Sequence, residues 1–211
     1  MRWVNEQCVE DARPLPRTDE IMFRQGKAEI FSALDLKDAF HQIPLAEASR
    51  SITCTTTPRG VFQWRVVVMG WKNEVQYCQR NLEVALADVA DIASGYVDDI
   101  LIGNRRDNPT DSTKDLILKH DREVRLVMEQ LLKHRLVASY NKAQLFRAVV
   151  EFCGHMLSGR YESGHEESSW RWSDGYVGRL SQLCGVSWCS QTTTLPTSGG
   201  MPGSCHPYRT Y

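Results

Sequence analysis

The stretch Ala93-Ser94-Gly95-Tyr96-Val97-Asp98-Asp99-Ile100-Leu101-Ile102-Gly103 sets two adjacent carboxylates between two apolar arms. Such a pattern reads as a tight hairpin whose turn presents Asp98 and Asp99. Upstream, residues 28–36 alternate so that Ile30, Leu34 and Leu36 fall on one face and Phe31 and Ala33 on the other. Apolar side chains on both faces predict a central strand, and this one carries Asp35 near its end. A carboxylate in that setting is expensive to desolvate unless a cation or a strong hydrogen bond compensates.

Outward from these acids the chain alternates strand-like and helix-like stretches. Residues 52–57 and 61–68 are β-branched or aromatic runs separated by Pro58-Arg59-Gly60, a hairpin signal. From residue 73 to 91, Val75, Cys78, Leu82, Leu86 and Val89 recur at helical spacing. A second helix is predicted over 115–136, with Leu118, Val124, Val127, Met128, Leu131 and Leu132 as its buried stripe. A last strand is predicted over 149–156. The mixture predicts a single α+β sheet with helices on one face.

Composition bounds the function. Of 211 residues, 42% are apolar, and 25 Lys plus Arg stand against 26 Asp plus Glu for a formal net charge of −1. This excludes the strongly basic surface that many nucleic-acid binders carry, so any such role rests on local patches. Seven cysteines, an odd number, without a signal peptide or a bilayer-length apolar run, predict an intracellular chain with reduced thiols and no membrane partner. Residues 160–211 differ in kind: 24 of these 52 are Gly, Ser, Thr or Pro, and none is Ala, Ile, Phe, Lys or Asn. That composition predicts a poorly structured tail. The rival reading is a small metal module of Cys184, Cys189, Cys205, His206 and His165, without the tight Cys-x-x-Cys pair such modules favour.

Two or three carboxylates converging at a sheet edge invite a divalent cation. Mg2+ prefers oxygen ligands and completes its shell with water and substrate phosphates, which suits phosphoryl transfer. On spacing alone a plainer alternative stands beside it: Asp98 and Asp99 form an ordinary turn and Asp35 caps a helix starting near Lys37.

Residues 31–43, Phe31-Ser32-Ala33-Leu34-Asp35-Leu36-Lys37-Asp38-Ala39-Phe40-His41-Gln42-Ile43, and Tyr96-Val97-Asp98-Asp99-Ile100-Leu101 resemble the first and third catalytic motifs of reverse transcriptases. The likeness is to long-terminal-repeat retrotransposons of the gypsy type. Arg13-Pro14-Leu15-Pro16-Arg17 precedes the first motif, and Met69-Gly70-Trp71-Lys72-Asn73 with Gln79-Arg80 resembles the second. Glu151-Phe152-Cys153-Gly154-His155 resembles the primer-holding hairpin. Five landmarks in order are far more specific than one tetrapeptide.

The resemblance implies an α+β reverse-transcriptase palm, a ferredoxin-like antiparallel sheet with helices on one face, and a partial fingers subdomain. Residues 1–27 would be a remnant of the fingers, 28–159 the palm with part of the fingers, and 160–211 a tail outside the family. The implied activity is template-directed DNA synthesis, an RNA-directed DNA polymerase using two-metal nucleotidyl transfer, from a retrotransposon polyprotein fragment. Asp35 and Asp98 would hold two Mg2+ (or Mn2+) ions, with Asp99 beside them. Asp38, Ala39, Phe40, Gly70 and Gln79 would contact deoxynucleoside triphosphates, Phe40 as the steric gate against a ribose 2′-hydroxyl. Cys153, Gly154 and His155 would grip the primer of an RNA or DNA template, and Lys142 is a candidate proton donor to pyrophosphate.

The sequence also departs from the pattern. Only twelve residues precede Arg13, so the chain reads as truncated at both ends. Asn73-Glu74-Val75 stands where the family usually has Asn-Ala-Pro, placing a negative charge near the expected phosphates. These departures leave a second reading open: a catalytically inactive retroelement relic with weak or no nucleic-acid binding.

Overall fold

The computed structural model describes residues 1–159; the readings of residues 160–211, as a tail or a metal module, lie outside the described residues. In chain order the helices are α1 (Arg2–Gln7), α2 (Thr18–Gln25), α3 (Glu47–Arg50), α4 (Glu74–Leu86) and α5 (Thr113–Lys133). The strands are β1 (Ile30–Asp35), β2 (Thr55–Thr57), β3 (Gly60–Phe62), β4 (Ala93–Tyr96), β5 (Asp99–Asn104), β6 (Gln144–Arg147), β7 (Val149–Phe152) and β8 (His155–Ser158).

A four-stranded sheet in the order β4-β5-β1-β6, antiparallel throughout, forms the centre. As its two-faced apolar pattern predicts, β1 is an inner strand. Leu34, Leu36, Ile100 and Ile102 face a core closed by Cys78, Leu82 and Leu86 of α4 and by Val124, Val127, Met128 and Leu131 of α5. Phe31, Ala33 and Leu101 face the opposite way, onto Ile21 of α2 and Val150 and Phe152 of β7. The two long helices thus share one face, and the short α2 with the β7–β8 hairpin covers the other.

Helix α4 comes unusually close to the sheet at Gly95. A Cβ there would lie 2.5 Å from Cδ2 of Leu82 and 3.0 Å from Cδ1 of Leu86. Glycine at this position lets the helix rest directly on the β4–β5 hairpin that carries Asp98.

Several expectations need correction. The single strand over 149–156 is two strands, β7 and β8, folded back at Cys153 and Gly154. Positive φ values of 48° at Cys153 and 76° at Gly154 make the reversal. The hairpin after residue 52 is shorter than the apolar runs suggest, pairing only Thr55–Thr57 with Gly60–Phe62 about a Pro58-Arg59 turn. In α5, Leu118 and Leu132 are half-exposed, whereas Leu116 and His120 are buried. The true stripe of residues 116, 120, 124, 127 and 131 keeps helical spacing, and a polar residue at 120 conceals it. Ser112 starts this helix with a capping box, exchanging hydrogen bonds with Asp115.

His120 is fully buried yet fully bonded. Its Nδ1 donates to Oδ1 of Asn104 at 2.5 Å, and its Nε2 accepts from the Ser32 hydroxyl at 2.7 Å. The Ser32 oxygen in turn accepts the Phe146 amide at 3.1 Å, where the β1–β6 register shifts. Asn104 passes the chain on to Glu123. This relay ties β1, β5, β6 and α5 together and fixes a neutral imidazole.

Burial pulls the His120 pKa from its ordinary 6.5 down to about 4. An unfolded chain therefore binds a proton in this window that the folded chain refuses, so the contribution of His120 to stability is complete above pH 6.5 and lost as pH falls toward 4. Urea unfolding of the wild type should lose about 3 kcal/mol through this group between pH 7 and pH 4. His120→Leu, less stable at neutral pH, should show a flatter pH dependence; parallel slopes for the two proteins would contradict the assignment.

Candidate active site

The register of β1 on β5 builds the site. Asp35 lies directly across from Asp99, and the Leu36 amide donates to the Asp98 carbonyl at 2.7 Å. From the other side the Ser139 amide donates to the Asp35 carbonyl at 2.7 Å, and the Lys37 amide to the Val137 carbonyl at 2.9 Å. Asp35 is thereby held at the end of an inner strand between the hairpin and the segment following α5. It does not cap a helix; Asp38, with φ of 48°, opens the short 3-10 turn Ala39–Gln42 instead.

Asp98 sits in a two-residue turn with Val97, and Tyr96 pairs with Asp99 across it. Val97 has φ of 56°, a conformation that β-branched residues avoid. Helix α4 holds it there from below. Oε1 of Gln79 accepts the Val97 amide at 2.7 Å, and the Cys78 thiol donates to the Val97 carbonyl at 3.2 Å. Nε2 of Gln79 donates to the Gly95 carbonyl at 3.2 Å and to Glu83 at 3.0 Å. Burial, with Asp98 and Glu74 nearby, pushes the Cys78 thiol up to about 11, so it remains a donor at neutral pH.

The acids feel one another. Desolvation, reinforced by Asp35, pushes the Asp98 carboxyl above the usual carboxylate range. Desolvation also raises Asp99, with Asp98 and Asp35 adding to it. Nζ of Lys142 lies 2.9 Å from Oδ2 of Asp35, and that bond holds the ammonium above its ordinary value. The Cys153 thiol, at the β7–β8 turn, reaches Oδ2 of Asp99 at 3.8 Å, and burial beside these acids pushes it up to about 12. Among the described residues no three His, Cys, Asp or Glu side chains converge closely enough to hold a metal ion by themselves. An Mg2+ ion asks for less: one or two carboxylates, with water and phosphate oxygens completing the shell. The all-oxygen donors Asp35 and Asp98 fit that demand.

The remaining predicted residues are placed as follows. Ala39 is buried and Phe40 half-buried, both packed in the core that Leu34 and Leu36 face. Gly70, at φ of 85°, lies in a segment gripped from two sides. Its amide donates to Oε2 of Glu74 at 2.7 Å, and its carbonyl accepts from Nδ2 of Asn5 at 2.8 Å. Oδ1 of Asn5 also accepts the Lys72 amide at 2.9 Å. Glu74, the charge that looked out of place beside phosphates, is therefore engaged by the backbone of the glycine turn. The grip of Asn5 comes from 65 residues away and has no local sequence signal. Gly154 and His155 follow Cys153 around the hairpin, with His155 exposed.

Gln79 is the brace whose removal should be felt first. Gln79→Leu keeps the bulk but leaves the half-buried Val97 amide and Gly95 carbonyl without their Gln79 partner, and should cost about 1–3 kcal/mol in chemical denaturation. A change below about 0.5 kcal/mol would mean the hairpin holds its turn unaided.

Comparison with known proteins agrees with this geometry. Residues 1–157 match the family model described as reverse transcriptase (RNA-dependent DNA polymerase). The enzymatic polyprotein of figwort mosaic virus is 31% identical over 151 residues, covering 72% of this chain and 21% of the polyprotein. The retrovirus-related Pol polyprotein from transposon gypsy of Drosophila melanogaster is 31% identical over 158 residues, covering 74% of this chain and 14% of that protein. The fold is similar to that of a foamy viral protease-reverse transcriptase solved with double-stranded DNA, with a TM-score of 0.66 and 22% identity over 75% of this chain and 26% of that one. The chain thus spans about a fifth of the viral polyprotein it matches. On the match over residues 1–157, the chain belongs to the reverse transcriptase family.

Proposed function

We propose that residues 28–159 form the palm of an RNA-directed DNA polymerase, and that residues 1–27 belong with its fingers. The observation that carries this reading is the meeting of Asp35 with Asp98 and Asp99 across β1 and β5, where burial, with Asp35 nearby, has raised the latter two. Such a cluster favours a cation, and Asp35 and Asp98 are the residues that would hold Mg2+ or Mn2+. Bound there, two divalent ions would supply charge stabilisation to the attacking primer hydroxyl and to the triphosphate.

The chain's own residues do the positioning. Phe40, packed against the core, presents a rigid ring that turns away a ribose 2′-hydroxyl and so selects deoxynucleoside triphosphates. Asp38 and Ala39 open the backbone turn beside the triphosphate. Gly70, fixed by Asn5 and Glu74, keeps a backbone surface without a side chain for the nucleotide to approach. Gln79 acts from beneath, by holding the Val97 turn and with it Asp98. Cys153, Gly154 and His155 place the primer of an RNA or DNA template, and the contact of Cys153 with Asp99 links primer position to the acids. Lys142 supplies a proton to the leaving pyrophosphate.

Primer extension on a homopolymer template with Mg2+ or Mn2+ tests the reading. Asp98→Asn, nearly isosteric, should reduce extension by about 100-fold or more while leaving the melting temperature close to that of wild type. Equal extension by the two proteins would remove Asp98 from the chemistry, and no extension by either would favour the inactive-relic reading.

A further inference from the structure

Lys142 lies between α5 and β6 and sends its ammonium to within 2.9 Å of Oδ2 of Asp35. The two partners differ in freedom: the lysine side chain is 67% exposed and the aspartate 18%. Asp98 and Asp99 pull on the same ammonium. One flexible cation therefore serves three carboxylates; burial raises two of them, Asp98 with Asp35 beside it and Asp99 with Asp98 and Asp35 beside it.

We propose that Lys142 is the counter-ion of the metal-free site, held on Asp35 until a divalent cation displaces it. This rests on the reading of Asp35 and Asp98 as metal-holding residues. The argument is electrostatic. The ammonium engages one oxygen of the carboxylate that an incoming cation needs, and two cations cannot share it closely without repulsion. The lysine end of the pair is exposed and mobile, so the ammonium yields to a divalent ion, and while on Asp35 it offsets part of the repulsion among the acids. The long stem of lysine lets the ammonium leave Asp35 without leaving the neighbourhood.

Mn2+ binding to the full chain, measured without primer or nucleotide, tests this directly. Lys142→Met should bind the first Mn2+ about tenfold more tightly than wild type, because the competitor is gone. Lys142→Arg should restore wild-type affinity, since a guanidinium still pairs with the carboxylate. Without metal, Lys142→Met should melt below wild type, and saturating Mn2+ should remove the difference. Affinity in Lys142→Met equal to or weaker than wild type overturns the proposal. Asp98→Asn separates the two layers: if it abolishes binding while Lys142→Met changes nothing, only the counter-ion role falls. If wild type binds no Mn2+, or Asp98→Asn binds as well as wild type, both readings fall.

Discussion

The antiparallel pairing of β1 with β5 places Asp35 opposite Asp99 and returns the Leu36 amide to the Asp98 carbonyl. Side chains alternate along a strand, so a slip of one residue would send Asp35 to the opposite face and every apolar neighbour with it. Both faces of β1 are packed, Leu34 and Leu36 on one and Phe31 and Ala33 on the other. That double burial makes the register costly to change. The relay through Ser32, His120 and Asn104 pins the same two strands to α5 at their other end. A polar chain inside an apolar core and an acidic cluster at its edge are in this sense two ends of one constraint.

On that frame, α4 sets the turn. Val97 keeps a positive φ because Gln79 and Cys78 take up both its amide and its carbonyl, and Gly95 lets the helix come close enough to do so. Strain in the turn is thus held by packing outside it. The charge of the acids is met from another direction by Lys142 and Cys153, carried on segments more than 40 residues downstream of the turn. Elements from four parts of the chain therefore converge on three carboxylates, and the result is an acidic site whose repulsion is tempered and not removed.

How much of this the sequence reveals depends on the range of the interaction. Apolar alternation on both sides of Phe31 and Ala33 marks an inner strand, and two apolar arms around Asp98 and Asp99 mark the hairpin. Both are local patterns, and both hold, except that the turn is Val97-Asp98 and Asp99 opens β5. Residues 149–156 mislead because their apolar run continues through a turn made by Cys153, a residue without turn chemistry, with Gly154 as the lone signal. His120 misleads because a histidine in a buried stripe reads as polar until its partners on β1 and β5 are known. The hold of Asn5 on Gly70 and Lys72 spans the sequence and leaves no pattern in it. Glu74 reads as an electrostatic defect next to phosphates, and its bond to the Gly70 amide gives it a local use instead.

The most direct test of the central claim, that the β1–β5 register creates a place for a divalent cation, is to locate one. Anomalous scattering from crystals of the protein soaked in Mn2+ should show a peak between the carboxylates of Asp35 and Asp98, with the Lys142 ammonium moved off Asp35. A structure at saturating Mn2+ with no peak there, and Lys142 still on Asp35, would contradict the account.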